Sequence, residues 1–386
     1  MKMRKLFLGM MTFVIILLSG TQSEVQAQGI ALTADASLLM VAETGQILFE
    51  ENSQIPMAPA SITKVMTLYL VMEALEQEII HLDDIITVSQ RAWEIGESSM
   101  FLNQGDQVSV DLLIQGLTVV SGNDAAIALA EHVAGSVEDF VVKMNAKALE
   151  LGMSASHFQN PHGLDAANHT MTAGDIAILC RKLYTNYPQV ISYYTQEILT
   201  YGGISQDNRN PLLGVVPGVD GIKTGFTDEA GYSIAVSAKK DDLRLIAVIL
   251  GCSSEEVRRI ESSTLLEYGF THFQTYIAAE VGVVQGQIPV RRGKEDSVDF
   301  APKQDYPIII ETGSEKDVSL VIVVEENVIA PIAQGQEVGH LEISYRGQIH
   351  GQVPLVATKE IVRGNIFKVI WQSISEFFNK IVRFSR

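Results

Sequence analysis

The pattern of apolar and polar positions changes several times along the chain, and each pattern predicts a different structure. Residues 6–18 are apolar but for Gly9 and Thr12, and they follow the basic cluster Lys2, Arg4 and Lys5. That order, with small residues at Val25-Gln26-Ala27, predicts a secretory signal over residues 1–27, cleaved after Ala27. The apolar run is short for a membrane span, which needs about 20 such residues. Residues 37–42 and 47–50 flank a Thr44-Gly45 turn and predict an opening hairpin. Apolar residues then recur at helical spacing over 62–75, 110–117 and 124–133, with a Ser121-Gly122 break before the last. Ser136-Val137-Glu138-Asp139 predicts a capped helix start and Gly152 its stop. A further helix is expected from 172 to about 184.

Beyond that point the period shortens. Residues 231–238 and 243–250 predict two buried strands joined by Lys239-Lys240-Asp241-Asp242, and a helix is expected over about 255–273. Strands at both ends of residues 28–275, with helices between, predict an α/β (α+β) domain: an antiparallel sheet backed by helices. From 276 to 360 helical spacing disappears. Short β-rich runs at 306–311, 318–324 and 339–345, punctuated by turns such as Gln285-Gly286 and Arg346-Gly347, predict a small all-β domain.

The last segment, 361–386, is patterned differently again. At about 100° per residue, Ile366, Phe367, Ile370, Trp371, Ile374, Phe377, Phe378, Ile381, Val382 and Phe384 share one face. Lys368, Glu376, Lys380, Arg383 and Arg386 fall on the other. Such a helix suits the membrane interface, with its basic residues toward anionic headgroups. The recurring charges keep it from spanning. Export plus this helix place the protein on the outer face of the cytoplasmic membrane, peripherally anchored.

Composition narrows the function. The net charge is −18. The basic ends carry +2 (residues 1–27) and +4 (361–386), so the body between them carries −24. A body this acidic excludes a general nucleic-acid binder. Two cysteines in 386 residues exclude a disulfide scaffold. Cys180 and Cys252 read as separate buried thiols, although their spacing leaves pairing open.

Three short motifs carry candidate chemistry. In Ser61-Ile62-Thr63-Lys64 a serine and a lysine three apart share one helix face. A serine hydroxyl needs a base to become a nucleophile, and Lys64 can be that base only with a depressed pKa. Ser121-Gly122-Asn123 offers a hydroxyl able to relay a proton and an amide able to hold a lysine and a substrate carbonyl. Lys223-Thr224-Gly225, followed by Phe226, offers a grip for a carboxylate, and Gly225 allows a ligand backbone to pair as an added strand. Alone, each also reads as ordinary cap or turn chemistry. His132, His162 and His169 are the residues a histidine triad would draw on, and His162 reads instead as part of a turn.

Together, in this order, the three motifs match the Ser-x-x-Lys, Ser-x-Asn, Lys-Thr-Gly set of penicillin-recognising serine acyl enzymes. Sixty residues separate Ser61 from Ser121, and 102 separate Ser121 from Lys223. With Pro59-Ala60 before Ser61, Asp124-Ala125 after Asn123, Asn160-Pro161-His162-Gly163-Leu164 and Asp220-Gly221-Ile222, the chain resembles the serine-type D-alanyl-D-alanine carboxypeptidases, the low-molecular-mass penicillin-binding proteins. The resemblance covers nearly the whole chain. It implies a β-lactamase/transpeptidase-like catalytic domain over 28–275, the all-β domain over 276–360 and the anchor helix over 361–386.

The resemblance also implies a mechanism. Ser61 would attack the D-Ala-D-Ala carbonyl of a peptidoglycan stem peptide, with Lys64 as general base, Ser121 as proton relay and Asn123 positioning Lys64 and the substrate amide. Lys223, Thr224 and Gly225 would bind substrate, and the Ser61 and Phe226 N–H groups would form the oxyanion hole. Neither a metal nor an organic cofactor is implied. β-Lactams would acylate Ser61. The alternatives on the same fold are a class A β-lactamase-like hydrolase and a D,D-transpeptidase or endopeptidase. The first needs a water-activating glutamate, and residues 160–172 offer only Asp165. A catalytically silent wall-binding scaffold is the rival from another class, and the complete motif set argues against it.

Overall fold

A computed structural model describes residues 30–325 and 328–371 of the chain. The expected signal segment and the expected helix beyond Trp371 lie outside the described residues.

The chain opens on the hairpin β1 (Ala36–Val41) and β2 (Ile47–Glu51). A 3-10 turn, Ala60–Thr63, runs directly into α1 (Lys64–Glu76). The short strands β3 (Ile85–Thr87) and β4 (Gln107–Ser109) pair, with α2 (Gln90–Glu94) between them. Helices α3 (Val110–Val119), α4 (Asn123–Ala134), α5 (Val137–Leu151), α6 (Ala173–Asn186) and α7 (Val190–Tyr194) complete a helical lobe. The hairpin β5 (Ile198–Tyr201) and β6 (Ile204–Asp207) follows. Then come β7 (Val219–Thr227), β8 (Gly231–Lys240), β9 (Leu243–Cys252) and α8 (Glu255–His272).

Side chains set these helix starts. Ser109, Ser136, Thr172 and Ser254 each accept a backbone N–H from the first turn they precede. A cap of this kind contributes about 1 kcal/mol. Gly135 and Gly152, with φ of +81° and +84°, close α4 and α5 in the left-handed conformation that glycine adopts without strain.

The main sheet is antiparallel throughout, in the order β2-β1-β9-β8-β7. It is covered on both faces, which is why β9 reads as an unbroken apolar run from Leu245 to Leu250. Leu38, Met40, Ile246 and Val248 face the helical lobe, whereas Leu39, Val41, Leu245 and Ala247 face the α8 side. Helix α1 is buried almost all round, with Val65, Met66, Leu68 and Val71 inaccessible to solvent. It is therefore the axle of the lobe rather than an amphipathic surface helix. Each such side chain stabilises the fold by roughly 1.5–3 kcal/mol. The Ser61 turn is thus anchored to the deepest packed element. Cys180 and Cys252 are both free and buried.

The remaining strands are β10 (Phe273–Ala279), β11 (Gly286–Arg291), β12 (Ser297–Pro302), β13 (Tyr306–Glu311), β14 (Val318–Val324), β15 (Val328–Ile329), β16 (Glu337–Tyr345) and β17 (Gln348–Ala357). They form a six-stranded sheet in the order β14-β16-β17-β12-β11-β15 and the separate pair β10-β13. Their interior is a third core. Strand β10 begins at Phe273, three residues before the expected limit at 276, and Ile309 of β13 joins the α8-side core. At the other end Ile361 is buried in the β core and Gly364 N donates to Arg292 O at 2.8 Å. The fold class is as expected: a catalytic-type mixed domain followed by an all-β domain.

Candidate active site

Ser61 sits in the 3-10 turn and Lys64 opens α1, so their side chains stack on one face. Ala60, just before Ser61, has φ +47°, a left-handed value that costs a residue with a Cβ and is held here by its surroundings. Lys64 Nζ lies 2.8 Å from Ser61 Oγ and donates to Asn123 Oδ1 at 2.7 Å and to the His162 carbonyl at 2.6 Å. The Asn123 amide is oriented by its other end, since Nδ2 donates to Gly96 O at 3.1 Å. Two of Lys64's three directions therefore end on oxygens that only accept. In the neutral amine they take its two N–H groups, and the lone pair is left facing the Ser61 hydroxyl.

The electrostatics favour that neutral form. Lys64 is 1% exposed, and burial holds its pKa well below the usual lysine value. The Lys223 charge pushes the same way, against smaller opposing contributions from Asp124 and Glu97.

Ser121 stands in the break between α3 and α4 with φ +61°, buried, and its Oγ has no hydrogen-bond partner among the described residues. Asn123 N donates to Ser98 O at 2.7 Å, which ties the break to the preceding loop. Asp124 organises that loop further. Its carboxylate accepts from Ser99 Oγ (2.6 Å), Met100 N (3.1 Å), Leu102 N (3.2 Å) and its neighbour Ala125 N (2.9 Å). It also lies in the first turn of α4, where the helix dipole favours an anion.

The third motif lies on β7, an edge strand with β8 on one side, and the Ser61 turn packs on its face at Gly225. The contact leaves no room for a side chain: a Cβ on Gly225 would lie 2.9 Å from Pro59 O and 3.3 Å from Ser61 N. Lys223 and Thr224 are buried, and Lys223 Nζ donates to Thr224 O at 3.0 Å. Burial, then Arg258 and Arg209, push the Lys223 pKa down to about 7. Phe226 is half exposed and packs against Tyr232, ring centroids 4.3 Å apart, and Arg258 lies over the far ring at 5.8 Å.

The segment 157–172 is bound to the Ser61 turn more closely than its sequence indicates. Besides the His162 carbonyl on Lys64, Pro161 O accepts from Thr67 Oγ1 at 2.5 Å. His169 Nε2 lies 2.8 Å from Thr63 Oγ1. Its Nδ1 accepts from Gln159 N at 3.2 Å, which leaves Nε2–H to donate to the threonine. Burial lowers the His162 pKa to about 3 and the His169 pKa to about 4, so both rings are neutral at neutral pH. His162 thus contributes its backbone, and His132 pairs with Asp84 instead at 3.3 Å. Asp165, the carboxylate of the loop, accepts from Thr227 Oγ1 at 2.8 Å, joining the loop to the end of β7.

The fold therefore brings Ser61, Lys64 and Asn123 into direct contact and lays Lys223, Thr224, Gly225 and Phe226 along the adjoining edge. Arg209 and Arg258 were not legible beforehand. They lie 14 residues before and 35 after Lys223, in no motif, and only the packing of α8 and of the segment before β7 brings their charges to bear on it. The role of Asp124 could have been read from its place in the first turn of a helix.

The family model described as D-alanyl-D-alanine carboxypeptidase matches residues 21–254, and that for the C-terminal domain of penicillin-binding protein 5 matches 273–363. The chain is similar to the D-alanyl-D-alanine carboxypeptidase DacF of Bacillus subtilis, 33% identical over 90% of this chain and 91% of that one. Its structure is similar to penicillin binding protein 5 from Haemophilus influenzae, with TM-score 0.72 and 36% identity over 87% of this chain and 99% of that one. It is also similar to penicillin-binding protein D2 from Listeria monocytogenes in its ampicillin-bound form, with TM-score 0.58 and 32% identity over 63% of this chain and 99% of that one.

Proposed function

Because the chain belongs to the D-alanyl-D-alanine carboxypeptidase family, we propose that it removes the terminal D-alanine from peptidoglycan stem peptides through an acyl-enzyme on Ser61. The observation that carries this reading is the Lys64 arrangement: a buried amine, its pKa lowered, with two directions held by acceptors and the third on Ser61 Oγ.

In this mechanism Lys64 Nζ takes the Ser61 proton as Oγ bonds to the carbonyl carbon between the two D-alanines. The proton then passes through the Ser121 hydroxyl to the leaving nitrogen. The C–N bond breaks, D-alanine departs, and an ester remains on Ser61. Water, deprotonated by the same lysine, hydrolyses that ester and restores the serine. The developing oxyanion is held by the N–H groups of Ser61 and Phe226, each typically worth about 3 kcal/mol. Cationic Lys223 and the Thr224 hydroxyl bind the terminal carboxylate, and Asn123 holds both Lys64 and the substrate amide. A β-lactam presents a strained amide to the same serine and acylates it.

Localisation is part of the same proposal: export by residues 1–27 and attachment to the outer face of the cytoplasmic membrane by the C-terminal helix. The start of that helix supports it. Asn365 Oδ1 caps the Lys368 N–H at 2.9 Å, and Ile366, Phe367, Ile370 and Trp371 are all exposed. We place the domain limits at Phe273 and Gly364, where the strands of the β domain begin and its backbone pairing ends.

The test is an assay of free D-alanine from a peptide ending in Lys-D-Ala-D-Ala, with Ser61→Ala as control. Release by the wild type alone supports the reading. Peptide dimers in place of free D-alanine favour a transpeptidase, and neither product favours a silent scaffold.

A further inference from the structure

Strand β14 is an unusual edge. Its sequence, Val318-Ser319-Leu320-Val321-Ile322-Val323-Val324, holds no charge and no proline. It pairs with β16 on one side, in unbroken register from Val318 opposite Tyr345 to Val324 opposite Gly339. Its other side is the end of the six-stranded sheet. Leu320, Val321, Ile322 and Val323 are 42, 52, 42 and 40% exposed. Leu320 and Ile322 stand opposite Ile343 and Leu341, which are fully buried, so they continue the core-facing side of the sheet into solvent.

A long, flat, apolar edge is a template for another strand, and proteins usually blunt such edges. The other ends of the two large sheets differ from it. β2 carries Glu50 and Glu51, β15 is two residues long, and β7 carries the Lys223-Thr224-Gly225 motif, whose edge is left to a ligand backbone. We propose that β14 is the contact edge of a two-fold homodimer, in which a second copy of this chain lays its own β14 antiparallel to the first, centred on Val321.

Three features select this occupant. First, the strand is self-complementary about Val321. Leu320 then faces Ile322 of the second copy, Ser319 faces Val323 and Val318 faces Val324. Equal parity of the paired residues keeps the core-facing sides of both copies on the same side of the joined sheet. Second, the flanking charges fit. Lys316 and Glu325 are exposed and form no ion pair among the described residues. Antiparallel pairing brings the Lys316 of each copy alongside the Glu325 of the other, whereas parallel pairing would set like charges together. Asp317, which falls opposite Glu325, is already compensated by Arg346 at 3.4 Å. Third, an edge strand offers backbone N–H and C=O groups that lipid tails cannot satisfy. The helix beginning at Ile366 is tied to the turn between β11 and β12, through Lys368 on Asp296 at 2.8 Å and on Lys294 O at 3.0 Å. That turn lies toward the opposite end of the sheet order from β14.

The test uses the full chain in detergent micelles at about 0.15 M salt, where charges more than about 8 Å apart are screened. Analytical ultracentrifugation should show a dimer, and Val321→Lys should weaken it at least about tenfold, because two like charges meet at the axis. Val321→Cys should form a disulfide-linked dimer under mild oxidation, since paired residues in an antiparallel ladder lie within disulfide reach. Val323→Cys alone should not, because it faces Ser319. A monomeric wild type overturns the proposal. So does a dimer indifferent to Val321→Lys, or equal cross-linking at both positions. A Val321→Lys variant that instead loses binding to anionic phospholipid vesicles would assign the edge to lipid, and would overturn it as well.

Discussion

Lys64 Nζ reaches Ser61 Oγ at 2.8 Å while its other two hydrogen bonds end on Asn123 Oδ1 and the His162 carbonyl. Replacing the amine by an apolar chain of similar length removes the base and takes the donor from Asn123 Oδ1 and the His162 carbonyl. Lys64→Met should slow acylation by a fluorescent penicillin by at least about 100-fold, the usual range for a general base. The melting temperature should shift by only a few degrees, because relief of the buried amine offsets the two acceptors left unpaired. Labelling at the wild-type rate would take the base role away from Lys64.

The two buried lysines set opposite pH limbs. Lys64 must be neutral to accept a proton, so kcat/KM rises with pH as Lys64 deprotonates. Lys223 must be charged to hold a carboxylate, so kcat/KM falls as pH climbs through about 7, its value in the free enzyme. Lys223→Arg should carry that alkaline limb beyond about pH 10, since a guanidinium stays protonated. A limb unmoved by this change would belong to another group.

Asp124 holds the loop that holds Asn123. Asp124→Ala leaves the buried N–H groups of Met100 and Leu102 without their carboxylate. The expected local loss is about 3 kcal/mol, so amide hydrogen exchange at Met100 and Leu102 should quicken about 100-fold. Unchanged protection would show that the carboxylate does not hold the loop.

Gly163 has φ +92°, and a Cβ there would lie 1.9 Å from Ala60 O. Neither the backbone angle nor the contact admits a methyl group, and the carbonyl cannot retreat without moving the Ser61 turn. Gly163→Ala should reduce penicillin labelling at least about tenfold and lower the melting temperature by several degrees. A variant with wild-type labelling and melting would mean that the loop and turn are not rigidly coupled.

Membrane attachment should depend on the segment after Asn365. Deleting residues 366–386 spares Ile361 and Gly364, which belong to the β domain. The truncated protein should move from the membrane to the soluble fraction on centrifugation with its penicillin labelling intact. Retention on membranes would assign attachment elsewhere.

Much of this architecture was legible in the chain because it rests on strong local periodicity. Helices α1, α3, α4, α5 and α6 and the strands β8 and β9 have long apolar faces or runs, and Ser136 and Thr172 mark helix starts by their caps. Strand β7 was not legible as a strand, although its motif was. Gly221 and Gly225 weaken its β pattern, and its pairing with β8 and contact with the Ser61 turn hold it in place. The short pairs β3-β4 and β5-β6 carry too few residues for any period to emerge. The cluster Ser61, Lys64, Asn123 could be named from motif spacing. The His162 carbonyl, the His169–Thr63 bond and the two arginines beside Lys223 could not, because a backbone acceptor and a long-range neighbour leave no local signature.

The most direct test of the central claim is the site of the covalent adduct. The full chain is treated with benzylpenicillin and digested, and the modified peptide is identified by mass spectrometry. The account predicts one adduct, on Ser61, lost in Ser61→Ala and formed more slowly but at the same serine in Ser121→Ala. An adduct on any other residue, or one that persists in Ser61→Ala, would contradict it.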